Sequence, residues 1–406
     1  MPILSKNLNR IKMYGVVLLL LIFGLPSLSL AKMTHKFWAD LSGGAVYDDN
    51  VYKDSTGYMD IGYGLNLALG LRSKFSRYTF SRLRYRFRLK NFSEYDLENQ
   101  NSHQFDGLLK QRLGEFFTLD LNGRMKFSQL VNASTYNSQM FLGRPNLKWY
   151  VFDHTTLTTG YIYEKNAYPD YDLDYEESGF LVKLGQELSL YTYLEFSGSS
   201  QIKDYSERSL YGIDGKVDYT ITGGSRTLTD EMRKDEIVFF ETRLSQDITD
   251  RVKMELGYQY RELDSNGNYF DWGPKQWEEE NTTPNDERLV RNYYSYRNNR
   301  FGLKIRIILD GDSYLGISGH YQNKDYRGRL AKDKNDEFLS PEEKRKDKQI
   351  FISASWVKEI SKEILRDFPI ENLEIKIGYS YENNQSNDAL YDYSNSIILI
   401  SLSSWF

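Results

Sequence analysis

Five cations occupy every second position of one short stretch: Arg82, Arg84, Arg86, Arg88 and Lys90, interleaved with Leu83, Tyr85, Phe87 and Leu89. Successive side chains of an extended strand point to opposite faces, so this segment has one ionic face and one apolar face. Both cannot enter the same soluble core. The segments that follow repeat the arrangement, with Lys110 and Arg112, then Arg124 and Lys126, at alternating positions. If consecutive segments are neighbours in an antiparallel sheet, these cations converge on one patch. The chemistry of such a patch is electrostatic: fixed positive charge on the wall of a low-dielectric channel concentrates anions and repels cations. Pairing with Asp106, Asp120 and facing carboxylates is the other reading, and it leaves a transverse field across a nonselective pore. A net anion-favouring wall is the expectation carried forward.

The elements that would hold this wall follow one grammar along the chain. Leu119, Leu121, Met125 and Phe127 oppose Asp120, Asn122, Arg124 and Lys126; Val252, Met254, Leu256, Tyr258 and Tyr260 oppose Lys253, Glu255, Gly257, Gln259 and Arg261. Leu373, Ile375, Ile377, Tyr379 and Tyr381 oppose Glu374, Lys376, Ser380 and Glu382. Alternation over about ten residues, repeated between turn signals, is the pattern of a transmembrane barrel. The expected fold is therefore all-β, an antiparallel up-and-down transmembrane β-barrel. Short turns near Gly114, Asp153, Glu187 and Asp250 alternate with long polar connections near 92–100, 167–174, 265–288 and 328–346. Short turns belong on the periplasmic side and long loops outside. The count is then about 16 strands if 205–234 is one external excursion, or 18 if Tyr211 to Ile221 contributes a membrane pair. Segments 205–234 and 265–288 are the candidate constrictions. Pro145 falls inside a strand, where a bulge or break is expected. Gly-Tyr-x-Tyr recurs at 160–163, 257–260 and 378–381, each before an external loop, as an aromatic girdle requires.

Residues 1–31 have the form of a cleaved secretory signal: Lys6, Arg10 and Lys12, an apolar core from Tyr14 to Leu25, and Ser29-Leu30-Ala31. Residues 32–406 then form the barrel. Beyond Ala31 there is no apolar run of the ~18 residues a membrane helix needs. The mean hydropathy of −0.61 is compatible with a barrel, because only alternate residues meet lipid. The chain has no cysteine, which excludes a disulfide framework and thiolate metal sites. At the other end, Ile398, Ile400, Leu402 and Phe406 share one face, opposite Ser401, Ser403 and Trp405. An apolar strand ending on a terminal aromatic has the form of a signal read by the barrel insertion machinery.

Tyr47-Asp48-Asp49-Asn50-Val51-Tyr52 after the first strand, the closing Ser386-Asn387-Asp388…Tyr391-Asp392-Tyr393 and the terminal Phe406 together resemble the outer-membrane β-barrel porins often associated with exopolysaccharide gene clusters. The resemblance spans the mature chain. It implies a barrel in the outer membrane of a Gram-negative bacterium, passage of polysaccharide, and periplasmic export components as partners; it implies no catalytic residues.

Other chemistry finds little support. The four histidines, His35, His103, His154 and His320, form no triad spacing, and no phosphate-binding glycine loop, zinc motif or nucleic-acid motif occurs. Asp170-x-Asp172-x-Asp174 lacks the glycine and closing glutamate of a calcium loop. No enzyme activity, cofactor, metal or nucleic-acid partner is expected. Acidic loops such as Glu278-Glu279-Glu280 suit solvent, with cation bridging to lipopolysaccharide as the alternative. Trp38, Tyr191, Tyr193 and Phe239 are interior aromatics, read as lumen filling or as a sugar-stacking track. The expectation is a porin-like channel for hydrophilic anions, with exopolysaccharide export as its specific form; a non-conducting receptor barrel that binds a partner through its loops is the alternative.

Overall fold

The computed structural model describes residues 34–170, 173–213, 226–272, 287–310, 312–340, 343–360 and 372–405. The signal segment 1–31, Phe406 and the centres of the 205–234 and 265–288 segments lie outside the described residues. The strands are β1 (Thr34–Asp48), β2 (Asp60–Lys74), β3 (Thr79–Phe92), β4 (Gln100–Leu113), β5 (Phe117–Leu130) and β6 (Ser138–Phe152). They continue as β7 (Thr155–Ala167), β8 (Tyr175–Ser189), β9 (Thr192–Ile213), β10 (Arg226–Thr249), β11 (Val252–Ser265), β12 (Tyr269–Trp272) and β13 (Glu287–Val290). The chain closes with β14 (Tyr296–Leu309), β15 (Ser313–Leu330), β16 (Lys344–Ile360), β17 (Asn372–Ser386) and β18 (Tyr393–Trp405).

All of these except β12 and β13 join into one closed antiparallel barrel of 16 strands, each bonded to its sequence neighbour and β1 bonded to β18. The short β12–β13 hairpin stands apart within an outer loop. The closing seam pairs Asp40 with Trp405 and Ala45 with Ile400. Gly44 lets the first and last strands approach there: a Cβ on it would stand 2.5 Å from the Ile400 carbonyl oxygen.

Cross-strand partners share a face, so the register assigns every side chain to lumen or exterior. The exterior carries Phe37 and Phe180, 76% and 70% exposed, with Met59, Ile61, Tyr63, Leu303, Ile352 and Ile377. A slip of one residue would turn the Arg82–Lys90 row outward, at about 2–4 kcal/mol per cation near a bilayer midplane. The register is thereby fixed by the difference between lipid and water. Tyr161, Tyr163, Tyr258, Tyr260, Tyr379 and Tyr381 all fall on the exterior face, toward the end that carries the long loops. Ile398, Ile400 and Leu402 lie on the same outer surface.

Three local expectations need correction. The 205–234 excursion is external, but its flanks are strand: β9 and β10 run for 22 and 24 residues and carry the hairpin beyond the rest of the wall. Pro145 makes neither bulge nor break, because β6 is continuous and Pro145 pairs with Leu121 of β5 in unbroken register. Only the β7 side loses ladder pairs, at Arg144 and Pro145, and the register resumes at Asn146 opposite Gly160. A missing N–H removes one bond and leaves the extended backbone intact. Tyr191, finally, sits in the turn between β8 and β9 rather than inside the barrel.

Candidate functional site

The predicted basic wall forms on the lumenal face of β3, β4 and β5. In register, Arg84 meets Asp106 and Asp106 meets Arg124; Arg86 meets Gln104, which meets Lys126; Arg88 meets Ser102. Adjacent β2 offers small residues to this row: Gly70 opposite Arg84, Ala68 opposite Arg86 and Asn66 opposite Arg88. Gly70 leaves room that the Trp38 indole fills; Arg84 and Arg86 are half-buried along the wall, and Arg88 is exposed.

The wall divides into paired and unpaired cations. Asp106 holds two arginines: Arg84 donates to its Oδ2 from Nε and Nη2 at 3.1 and 2.8 Å, and Arg124 donates to Oδ1 from Nε at 2.8 Å. Gln104 donates to the same carboxylate at 2.9 Å. Lys110 stands 3.6 Å from Asp120. Arg112 does not join the patch, since it reaches back to the turn and donates to the Gly114 and Glu115 carbonyls at 3.1 and 3.3 Å. Lys90 lies 4.4 Å above the Phe92 ring. Among the described residues Arg82, Arg86, Arg88 and Lys126 have no carboxylate within salt-bridge distance, and neither do Arg72 on β2 and Arg144 on β6. Arg72 and Arg144 were not anticipated. Their signal was available, since each lies on the ionic side of a strand flanking the row.

The opposite arc is different. Lys183 faces Glu195 at 3.6 Å, Arg243 faces Glu241 at 3.1 Å and Glu255 at 3.7 Å, and Lys304 and Lys253 reach Glu255 and Asp247 at 2.8 and 2.9 Å. Most charges here are matched, although Arg300 of β14 bonds His320 at 3.1 Å and Arg306 lies 4.0 Å from the Tyr314 ring centre, each without a carboxylate within salt-bridge distance among the described residues. The larger group of unmatched cations lies on the β2–β6 arc.

The outer end of the barrel carries a second constellation, and it is built twice. In one copy Lys203 lies 3.5 Å from the Tyr175 ring centre, Arg233 lies 4.4 Å from Tyr205 and 3.6 Å from Tyr294, and Arg233 donates twice to Asp235 at 2.9 and 2.7 Å. In the other, Lys324 lies 4.1 Å from Tyr296, Arg345 lies 4.8 Å from Tyr326 and 3.4 Å from Tyr391, and Arg345 donates twice to Asp347 at 2.8 and 2.7 Å. The hydroxyls of Ser265 and Ser386 donate to the respective aspartates. The Lys234 and Lys346 amides each donate to a loop amide oxygen, Asn266 Oδ1 and Asn387 Oδ1, at 2.7 Å. Arg208 and Arg329 each donate to the tyrosine hydroxyl of their own copy, Tyr294 and Tyr391. Lys-Asp-Tyr at 203–205 and 324–326, and Arg-Lys-Asp at 233–235 and 345–347, are the sequence trace of this duplication. The Gly-Tyr-x-Tyr echo at 257 and 378 belongs to it.

No protein-family model matches the chain, and no curated protein matches it. Solved structures similar to it include a loop-deletion form of the outer-membrane protein OmpT of Vibrio cholerae, at 10% identity and TM-score 0.46, covering 93% of this chain and 100% of that one. OprD from Pseudomonas aeruginosa is similar at 10% identity and TM-score 0.45, covering 91% and 94%. An anion-selective porin from Comamonas acidovorans is similar at 9% identity and TM-score 0.45, covering 92% and 100%. Likeness of this degree assigns no function. The chain's own surfaces place it: a closed sheet without edges, apolar outside and ionic inside, is the architecture of an outer-membrane β-barrel.

Proposed function

We propose that the protein is a water-filled channel of the outer membrane that favours hydrophilic anions. The observation that carries this reading is the unpaired cation group Arg82, Arg86, Arg88 and Lys126 on one lumenal arc, facing an arc where Lys183, Arg243, Lys253 and Lys304 are matched by carboxylates. Barrels of 16 strands have room for an aqueous lumen, and charge on a low-dielectric wall acts on solutes along its length. Stepwise conductance in planar bilayers, with a reversal potential in a salt gradient that marks anion preference, is the expected result. Purified protein that gives no unitary current would remove the channel, and cation preference would remove the role of the basic wall.

Export of an acidic exopolysaccharide is the finer form of this proposal, supported by the Tyr47–Tyr52 and Ser386–Tyr393 motifs and by the sign of the wall. Outer-membrane lipid and lipopolysaccharide would surround the barrel, with periplasmic export components beneath it. A second reading, a receptor barrel, draws on the tying together of the outer loops. Lys53 bonds Glu382 at 2.7 Å, the Ser55 amide bonds the Leu390 carbonyl at 3.3 Å, and the Ala389 amide bonds the Lys332 carbonyl at 2.9 Å. The bilayer measurement separates the two.

The face of Ile398, Ile400, Leu402 and Phe406 is proposed as the element read during insertion. Deleting Phe406 is expected to lower the assembled fraction several-fold in cells while refolding into detergent proceeds. Equal loss in both settings would make the residue structural instead.

A further inference from the structure

We propose that the periplasmic mouth of the lumen is a saccharide-binding vestibule that takes a sugar ring carrying a carboxylate. Trp38 stands directly across from Gly70 in the β1–β2 register. Its ring lies over that glycine, with Cε2, Cζ2 and Nε1 2.1, 2.3 and 2.3 Å from the point a Cβ would occupy. The indole is thereby laid flat on the wall, one face against backbone and the other toward a cavity of about 520 Å³. Lys36, Asp40, Arg72, Glu359 and Trp405 line the same cavity. Trp405 enters it from the last strand as the register partner of Asp40.

The mixture of groups selects the ligand. Two indoles offer broad apolar faces, suited to the C–H face of a pyranose ring, with the Trp38 Nε1 itself buried against the wall. Asp40 and Glu359 accept from sugar hydroxyls. Lys36 and Arg72 have no carboxylate within salt-bridge distance among the described residues, and a guanidinium accepts a ligand carboxylate with two parallel bonds. A small inorganic anion would meet Asp40 and Glu359 and gain nothing from the rings. An apolar ligand would strip water from all four charged groups without replacing it. The inference rests on the passage reading above, in which a saccharide on its way out meets this mouth first.

Calorimetric titration of the full-length mature protein in detergent tests it, with a glucuronic-acid-containing disaccharide as probe and cellobiose and sulfate as comparisons. The acidic disaccharide should saturate, cellobiose should bind more weakly and sulfate should give no saturable heat. Trp38→Ala should raise the dissociation constant about tenfold, Trp38→Phe should raise it less because a stacking face remains, and Arg72→Gln should abolish the preference for the acidic sugar over cellobiose. The inference fails if the acidic disaccharide shows no saturable binding, if sulfate binds as well, or if Trp38→Phe and Arg72→Gln bind like the parent. Conductance without saccharide binding would remove this inference and leave the channel. Saccharide binding without conductance would do the reverse.

Discussion

Replacing Arg86 and Arg88 together by glutamate is expected to move the reversal potential from anion preference toward cation preference. A permeating ion about 6 Å from a guanidinium feels roughly 0.7–3 kcal/mol, according to whether the effective dielectric constant is nearer 80 or 20. Neither arginine has a carboxylate within salt-bridge distance among the described residues, so the parent charge is uncompensated. Reversing two such charges should change the anion-to-cation permeability ratio by about tenfold at low salt. The change should shrink at high salt, as the Debye length falls to about 3 Å at 1 M. Asp106→Asn supplies the opposite case. That carboxylate holds Arg84 and Arg124 at 2.8 Å each, and its neutralisation should free both and strengthen anion preference. If the double reversal leaves the potential unchanged, the wall does not meet the permeating ion. If Asp106→Asn weakens anion preference, the division into paired and unpaired cations is mistaken.

That division shows where the sequence stops being informative. The alternation of Leu83, Tyr85, Phe87 and Leu89 with the arginines reports the strand, its faces and its place in a barrel, because a two-residue period meeting lipid on one side has one structural solution. Adjacency of hairpin strands likewise predicts that Arg84, Asp106 and Arg124 share a surface. Which cation Asp106 holds depends on side-chain reach across neighbouring strands, and neither composition nor period encodes it. Arg112 illustrates the same point at a strand end, where a long side chain folds back onto nearby carbonyls of Gly114 and Glu115. Pro145 was legible as an anomaly, but its effect was overestimated, since one lost N–H does not bend a strand supported by β5. The outer modules left a readable trace in Lys-Asp-Tyr and Arg-Lys-Asp. Their assembly was not readable, because each draws on four neighbouring strands and the intervening connections differ in length between copies.

The duplication makes the last prediction quantitative by comparison within one molecule. Asp235 is 1% exposed and Asp347 6%, and each is gripped by one arginine and one serine, with the Tyr205 hydroxyl donating to Asp235 as well. Removing Arg345 leaves a buried carboxylate with no guanidinium and takes one of two cations from Tyr326 and Tyr391, Arg329 remaining over both rings. Loss of one partner of a buried pair costs about 3–5 kcal/mol, so Arg345→Ala should lower the urea midpoint for unfolding from lipid bilayers well beyond the effect of Ser386→Ala, which removes a bond of about 1.5–3 kcal/mol to a charged acceptor. Arg233→Ala should cost somewhat less than Arg345→Ala, because the two sites share the arginine and serine bonds but Asp235 keeps a further bond from the Tyr205 hydroxyl at 3.2 Å. The double variant Arg345→Ala with Asp347→Ala should be less destabilised than the two single losses added together, since it leaves no orphaned charge. Both copies lie at the outer rim, away from Arg86 and Arg88, so selectivity in bilayers should survive in any variant that still assembles. A loss below about 1 kcal/mol at either arginine, or a strong inequality between the two copies, would show that these pairs are ordinary surface contacts and that the rim is held by its hydrogen-bonded ladder alone.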